Sequence, residues 1–111
     1  IEQGHVVRGW LGIEAQDLTL QLAESLGVPG VQGVLIAGVL RDGPADNAGI
    51  EPGDVITSIN GVEVTDARKA MKAISNQRPG TLIELAGNRL GQSFALKARV
   101  IERPLQTVNS N

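Results

Sequence analysis

The stretch Arg8-Gly9-Trp10-Leu11-Gly12-Ile13-Glu14 decides how the rest of the chain is interpreted. Its second glycine predicts a tight backbone turn, because a residue without Cβ adopts conformations that other residues avoid. Successive free N–H groups in such a turn form a concave nest that suits an anion, including the terminal carboxylate of a peptide. The alternative interpretation is an ordinary glycine-containing turn inside a β-hairpin.

The residues that follow the turn, 13–16, predict a strand whose outer edge is unpaired. An unpaired edge can accept an extended peptide as an additional strand, held by main-chain hydrogen bonds. A glycine turn that leads directly into an edge strand is therefore a candidate site for binding the C-terminus of a peptide.

The composition fits one folded domain with a modest core. The chain has 111 residues, of which 41% are hydrophobic and only 2% aromatic, so its core has to come from Val, Ile, Leu and Ala. The net charge of −2 gives no electrostatic basis for binding nucleic acid or an anionic membrane, and we expect neither as a partner. No apolar run approaches the length of a membrane-spanning helix.

The residue types give no basis for an enzyme. There is no cysteine, which excludes a disulfide, a thiol nucleophile and a cysteine-based metal site. The one histidine, His5, has no evident catalytic partner, and no serine lies in a glycine-framed elbow. We expect no metal and no cofactor, because the aspartates stand at turns and helix starts, where they accept local hydrogen bonds: Asp42, Asp46, Asp54 and Asp66.

Hydrophobic spacing and turn residues predict three helical segments. The first covers Thr19 to Ser25, and the second is little more than one turn between Pro44 and Gly49. The third runs to Gln77, with Thr65 or Asp66 as its N-terminal cap. Its apolar stripe consists of Ala67, Ala70, Met71 and Ile74.

Strands are predicted at residues 34–40, 55–59, 62–64, 81–86 and 93–101. The continuous apolar run at 34–40 predicts a central strand that is buried on both faces. Asn60-Gly61 is the strongest hairpin signal in the chain. Residues 87–92, which contain two glycines, predict a turn.

The two ends of the chain predict segments outside the domain. Residues 1–7 lack an initiator Met and indicate a linker from a preceding domain, and the polar residues 105–111 indicate a flexible tail. We therefore interpret residues 8–104 as a domain excised from a longer protein.

Five short motifs, taken in order, resemble the PDZ domain of the bacterial HtrA/Deg serine proteases. The motifs are Arg8-Gly9-Trp10-Leu11-Gly12-Ile13, Gly43-Pro44-Ala45 through Ala48-Gly49-Ile50, Pro52-Gly53-Asp54-Val55-Ile56, Ile59-Asn60-Gly61 and Arg78-Pro79-Gly80-Thr81. The resemblance covers residues 4–104 and is nearest to the single-PDZ, periplasmic DegS- and AlgW-type branch. Gly87-Asn88 departs from the apolar residues that the family keeps there and predicts a bulged hairpin.

The resemblance implies a mainly β fold with two helices (α+β). The expected architecture is a PDZ-like, partly open β-barrel or sandwich in the circularly permuted bacterial order. A serine protease domain would precede Ile1 in a periplasmic parent protein, which could form a homotrimer. This chain itself would contain no catalytic residue.

The resemblance also implies a peptide-binding site. Its carboxylate-binding residues are Arg8, Trp10, Leu11, Gly12 and Ile13, where Arg8 would support the charge or else be an ordinary surface arginine. The groove would lie between the strand after the turn and the third helix, with strand and pocket residues Glu14, Ala15, Gln16, Ala67, Ala70, Met71 and Ile74. Small side chains beside the flexible Met71 predict C-terminal peptides with a bulky apolar last residue, Phe above Val and Val above Ala.

Two functions of different classes remain open at this point. In the first, the domain captures the C-termini of unfolded or mislocalised outer-membrane-type proteins by strand addition, and so regulates or feeds an attached HtrA-like protease. In the second, it is a structural docking module of a protease or secretion complex that does not read free C-termini. Amidation of a test peptide separates them, because only the first function requires a free carboxylate.

Overall fold

The computed structural model describes residues 8–103, so the predicted linker at 1–7, including His5, and the predicted tail at 105–111 lie outside the described residues. The strands in this range are β1 (Gly9–Trp10), β2 (Ile13–Asp17), β3 (Val34–Val39), β4 (Val55–Ile59), β5 (Val62–Glu63), β6 (Leu82–Arg89), β7 (Gln92–Arg99) and β8 (Ile101–Glu102). The helices are α1 (Leu20–Ser25), α2 (Pro44–Ala48) and α3 (Ala67–Ser75). No helix between residues 8 and 103 has the length and hydropathy needed to cross a membrane.

The strands form two antiparallel sheets. The larger has the order β2-β3-β4-β6-β7, with β5 attached to β4, and the smaller consists of β1 and β8. The mainly β fold expected from the sequence is confirmed. Two details differ from what the resemblance implies: the two sheets are open and form no barrel, and α2, which the turn residues predict, is a third helix.

The main hydrophobic core lies where the larger sheet packs against α3. Val34, Ile83 and Val100 are fully buried in it, and Ile74 joins them from α3. Strand β3 is buried on both faces only in its first half, since Ala37 is exposed. The prediction of a doubly buried central strand is therefore correct for residues 34–36 and wrong beyond them.

Local signals in the sequence position the helices. The Thr19 hydroxyl accepts the N–H of Leu22 at the start of α1. The Asp66 carboxylate accepts the N–H of Lys69 at 2.8 Å, so Asp66 is the cap of α3. Gly49 ends α2 with a φ of +100°, a conformation that favours glycine.

The β6–β7 hairpin does not match the sequence prediction. Strand β6 continues through Gly87 and Asn88 to Arg89, and only Leu90 and Gly91 form the turn, with φ of +51° and +90°. The pairing of β6 with β7 has no register shift, so the bulge predicted for this hairpin is wrong.

Gly87 is required by the close packing of β6 against β4, and not by a turn. A Cβ at this position would collide with the carbonyl oxygen of Val55 on β4. The register shift in this part of the sheet lies in the β4–β6 pairing, between Ile56 and Ser58. Gly87 therefore permits the close approach of two strands and does not form a turn.

An ion pair with a buried carboxylate attaches the end of β6 to the start of β4. The Asp54 carboxylate is 1% exposed and accepts hydrogen bonds from Nε and Nη2 of Arg89, each at 2.8 Å. It also accepts the N–H of Glu51 at 2.8 Å. The hydrogen bond to Asp54 raises the pKa of the Arg89 guanidinium, which stays charged. The sequence analysis assigned Asp54 only a local role, because its partner lies 35 residues away.

Candidate peptide-binding site

The glycine turn predicted from the sequence connects β1 to β2. Gly12 has a φ of +77°, in the left-handed region that favours glycine. The carbonyl oxygen of Leu11 accepts the N–H of Ala45 at 3.0 Å, and that of Gly12 accepts the N–H of Leu40 at 2.9 Å. Among the hydrogen bonds of residues 8–103, none is donated by the backbone N–H of Leu11 or Gly12. The turn therefore bonds its carbonyls to the protein, and the two amides have no hydrogen-bond acceptor within the described residues.

Packing on both sides fixes the position of this turn. Leu11 is 1% exposed and anchors the turn in the core. A Cβ on Gly9 would lie 2.6 Å from the carbonyl oxygens of Ile74 and Gln77, so only glycine lets β1 lie this close to the end of α3. Trp10 packs beside the turn, and a Cβ added to Gly12 would lie 3.1 Å from Cη2 of its ring.

Strand β2 is at the edge of the larger sheet and pairs only with β3 among residues 8–103. Gly12 and Leu40 lie opposite each other and share a hydrogen bond. Since backbone groups alternate in direction along an antiparallel strand, the next residue, Ile13, directs its N–H and C=O toward the open edge.

The backbone groups of Ala15, like those of Ile13, point toward the open edge of the sheet. The partner of Ala15 across the ladder, Ile36, uses both backbone groups on the other side, with Asp54 and Gly53. Ala15 therefore also faces the open edge with its N–H and C=O. An added strand would find hydrogen-bonding groups at Ile13 and Ala15, two residues apart.

The side chains of β2 divide between two faces. Ile13 and Ala15 are half-buried and pack against the main core, whereas Glu14 and Gln16 are exposed. The Glu14 carboxylate lies over Gly38 of β3. Glu14 and Gln16 are thus on the outer face of the sheet rather than on the face toward α3.

A cavity of about 310 Å³ lies between the turn and α3. All five predicted carboxylate-binding residues line it, together with Met71 and Ile74 of the predicted pocket. The structure adds Lys72, Ser75 and Arg103, which the sequence analysis did not select. Available amides, an unpaired strand edge and a cavity with an apolar wall therefore meet at one place.

A family model described as PDZ domain matches residues 9–100. The chain belongs to the PDZ domain family.

The relatives of this PDZ domain include HtrA-type proteases. A probable periplasmic serine endoprotease, DegP-like, from Bartonella henselae is 39% identical over 104 residues, which is 94% of this chain and 20% of that protein. The HtrA-type protease AlgW, solved with a decapeptide, has a TM-score of 0.83 and 46% identity over 91% of this chain and 31% of its own. The HtrA3 PDZ domain, solved with the phage-derived ligand FGRWV, has a TM-score of 0.73 at 19% identity and covers 86% of each chain, which shows the fold alone.

The resemblance found in the sequence is therefore confirmed: this is a PDZ domain similar to those of HtrA-type proteases. The chain spans about one fifth of the length of the curated relatives it matches.

Two residues predicted for the pocket of this PDZ domain do not line the cavity. Ala70 is 3% exposed and lies in the core beneath the groove, where the remaining space is about 10 Å³. Ala67 is half-buried at the N-terminal end of α3. Of the residues predicted from α3, Met71 and Ile74 line the cavity.

A hydrogen bond fixes the far end of the groove in this PDZ domain. Asp17, the last residue of β2, accepts the N–H of Ala67 on its Oδ1 at 2.8 Å. With Asp66, two carboxylates satisfy amides of the first turn of α3, where the helix dipole favours negative charge. This contact joins the strand and the helix that border the groove. Sequence reasoning missed it, because its partners are 50 residues apart.

Proposed function

We propose that this PDZ domain binds C-terminal peptides by adding them as an antiparallel strand to β2. The observation that carries the proposal is the pair of available amides, Leu11 and Gly12, at the mouth of the 310 Å³ cavity and next to the open edge of β2. An anion and an extended backbone are both accommodated there. A peptide C-terminus is the ligand that presents the two together.

Each part of the site has a role in this proposal. The amides of Leu11, Gly12 and Ile13 donate to the terminal carboxylate, and Arg8 adds positive charge from the rim. The C=O of Ile13 and the N–H and C=O of Ala15 pair with the peptide main chain, which gives affinity without sequence preference.

The cavity wall indicates which last residue is preferred. Leu11, Ile13, Met71 and Ile74 present mostly apolar surface, and Met71 can change shape around a large side chain. We therefore propose that the ligands are C-terminal peptides with an apolar last residue.

We further propose that the domain serves a periplasmic HtrA-type serine protease. Support comes from the similarity to AlgW and to the DegP-like endoproteases. In such a parent protein, which could form a homotrimer, binding would capture C-termini of unfolded or mislocalised outer-membrane-type proteins and regulate or feed the attached protease domain. The chemistry would belong to that domain, since residues 9–100 are the PDZ part.

The experiment that tests peptide binding compares one peptide as the free acid and as its C-terminal amide. Trp10 is the only tryptophan and lines the cavity, so its fluorescence reports the titration without a label. We expect amidation to weaken binding at least tenfold, about 1.4 kcal/mol. The amidated peptide has no terminal carboxylate to accept hydrogen bonds from the backbone N–H groups of the turn. Equal affinities would contradict the proposal and favour docking without recognition of a free C-terminus.

The identity of the last residue should change the affinity in the order Phe, Val, Ala. Burying a large apolar side chain contributes about 1.5–3 kcal/mol, so a peptide ending in Phe should bind at least tenfold more tightly than one ending in Ala. The measurement is a set of dissociation constants for peptides that differ only at the last position.

Met71→Ala provides the matched variant for this series. It should reduce the advantage of Phe over Ala, because the ring loses contacts on one wall of the cavity. Val62→Ala, which truncates an exposed apolar side chain on β5, should leave the ranking unchanged. A flat ranking with the wild-type domain would place the last side chain outside this cavity.

A further inference from the structure

The pairing of β1 with β8 brings two arginines together at the rim of the cavity. Gly9 lies opposite Glu102, and Trp10 lies opposite Ile101. Continuing this register outward by one residue places Arg8 opposite Arg103. Both residues are exposed and both line the 310 Å³ cavity.

Two like charges directly across an antiparallel pair repel each other and destabilise the pairing. The cavity adds a third cation, Lys72, and its lining within residues 8–103 includes no Asp or Glu. The chain as a whole has a net charge of −2, so this concentration of positive charge is local. An anion bound at the turn would offset the repulsion between the arginines.

We infer that Arg103 is a second arginine of the carboxylate site and acts with Arg8 on the terminus of the bound peptide. This inference rests on the proposed function and extends it to a residue near the other end of the described chain. The backbone amides hold the carboxylate, and the two guanidiniums add charge-assisted attraction from the rim. The β1–β8 pairing is what places both arginine residues at this rim.

The test is a cycle of Arg103→Gln and Arg8→Gln, singly and together, against the free-acid and amidated forms of one peptide. We expect Arg103→Gln to weaken binding of the acid about three- to tenfold, a modest loss because the side chain is exposed. The same variant should leave the affinity for the amide unchanged. Arg78→Gln removes an exposed arginine that does not line the cavity, and should bind both peptides as the wild type does.

Thermal melting distinguishes ligand recognition from a structural role. Arg103→Gln should melt at or above the wild-type temperature without peptide, since a like-charge contact is removed, and should gain a smaller increase in Tm from the free acid. An unchanged preference for the acid, or an equal loss for acid and amide, would overturn the role of Arg103 while wild-type discrimination still supported the proposed function. If the wild type does not distinguish acid from amide, both proposals are overturned.

Discussion

Replacing Gly12 with valine should abolish the binding of C-terminal peptides while the domain remains folded. Gly12 has a φ of +77°, where a β-branched residue is strained. Its Cβ would lie 3.1 Å from Cη2 of Trp10 and 3.3 Å from Cβ of Leu40, and branching adds further atoms in that space. The turn has to tilt to relieve these contacts, which misaligns the amides that receive the carboxylate.

The cost to folding should be smaller than the effect on binding. Backbone strain of this kind costs about 1–3 kcal/mol, against a total stability of about 5–15 kcal/mol for a typical domain. Peptide titration measures the binding, and circular dichroism with a denaturant series measures the fold.

Gly30→Val is the matched control for Gly12→Val. Gly30 is exposed and has a φ of +83°, and a Cβ added to it would meet no heavy atom within 4 Å beyond its own neighbours in the chain. It should show similar strain with unchanged peptide affinity. If Gly12→Val binds peptides with near wild-type affinity, the carboxylate does not lie on this turn.

Replacing Gly87 with alanine should destabilise the domain by about 3 kcal/mol or more. The single methyl group meets the carbonyl oxygen of Val55 on the neighbouring strand, and Phe94 lies close on the other side. Neither backbone can move without disturbing the β4–β6 pairing, so the cost is at or above the usual range of about 1–3 kcal/mol for overpacking. The measurement is the free energy of unfolding from urea denaturation.

The control for Gly87→Ala is Gly91→Ala in the turn of the same hairpin. Gly91 has a φ of +90°, and a Cβ added to it would meet only the carbonyl oxygen of Gly27 at 3.7 Å, an ordinary van der Waals contact, so alanine there should cost only about 1–2 kcal/mol of backbone strain. A loss below about 1 kcal/mol for Gly87→Ala would show that β4 and β6 separate easily at this point.

The sequence predicts those features whose signals are local. The Asp66 cap, the Gly49 stop and the Asn60-Gly61 turn follow from residues within a few positions of each other, and the structure confirms them. Gly87 illustrates the limit of local signals. A glycine required by a neighbouring strand looks the same in sequence as a glycine required by a turn.

Local sequence signals also identify only part of the candidate site. The turn of residues 8–13 and the helix positions Met71 and Ile74 follow from a motif and from helical periodicity, and the structure places them around one cavity. Arg103 reaches the cavity through strand pairing between distant parts of the chain, which no local pattern shows. Periodicity also cannot tell which residues of an apolar stripe line the cavity, since Met71 and Ile74 line it and Ala70 does not.

Under the proposed function, the hydrogen bond between Asp17 and Ala67 limits how many residues of a peptide can pair with β2. Strand β2 has five residues, and its last residue is bonded to the helix on the other side of the groove. A strand added from the turn onward therefore reaches this crosslink after about four residues. Under the proposed function, the identity of a client protein upstream of those few residues has no influence on its capture. The domain would then sort its clients by the last few residues of an accessible chain end, and proteins that differ elsewhere would be captured alike.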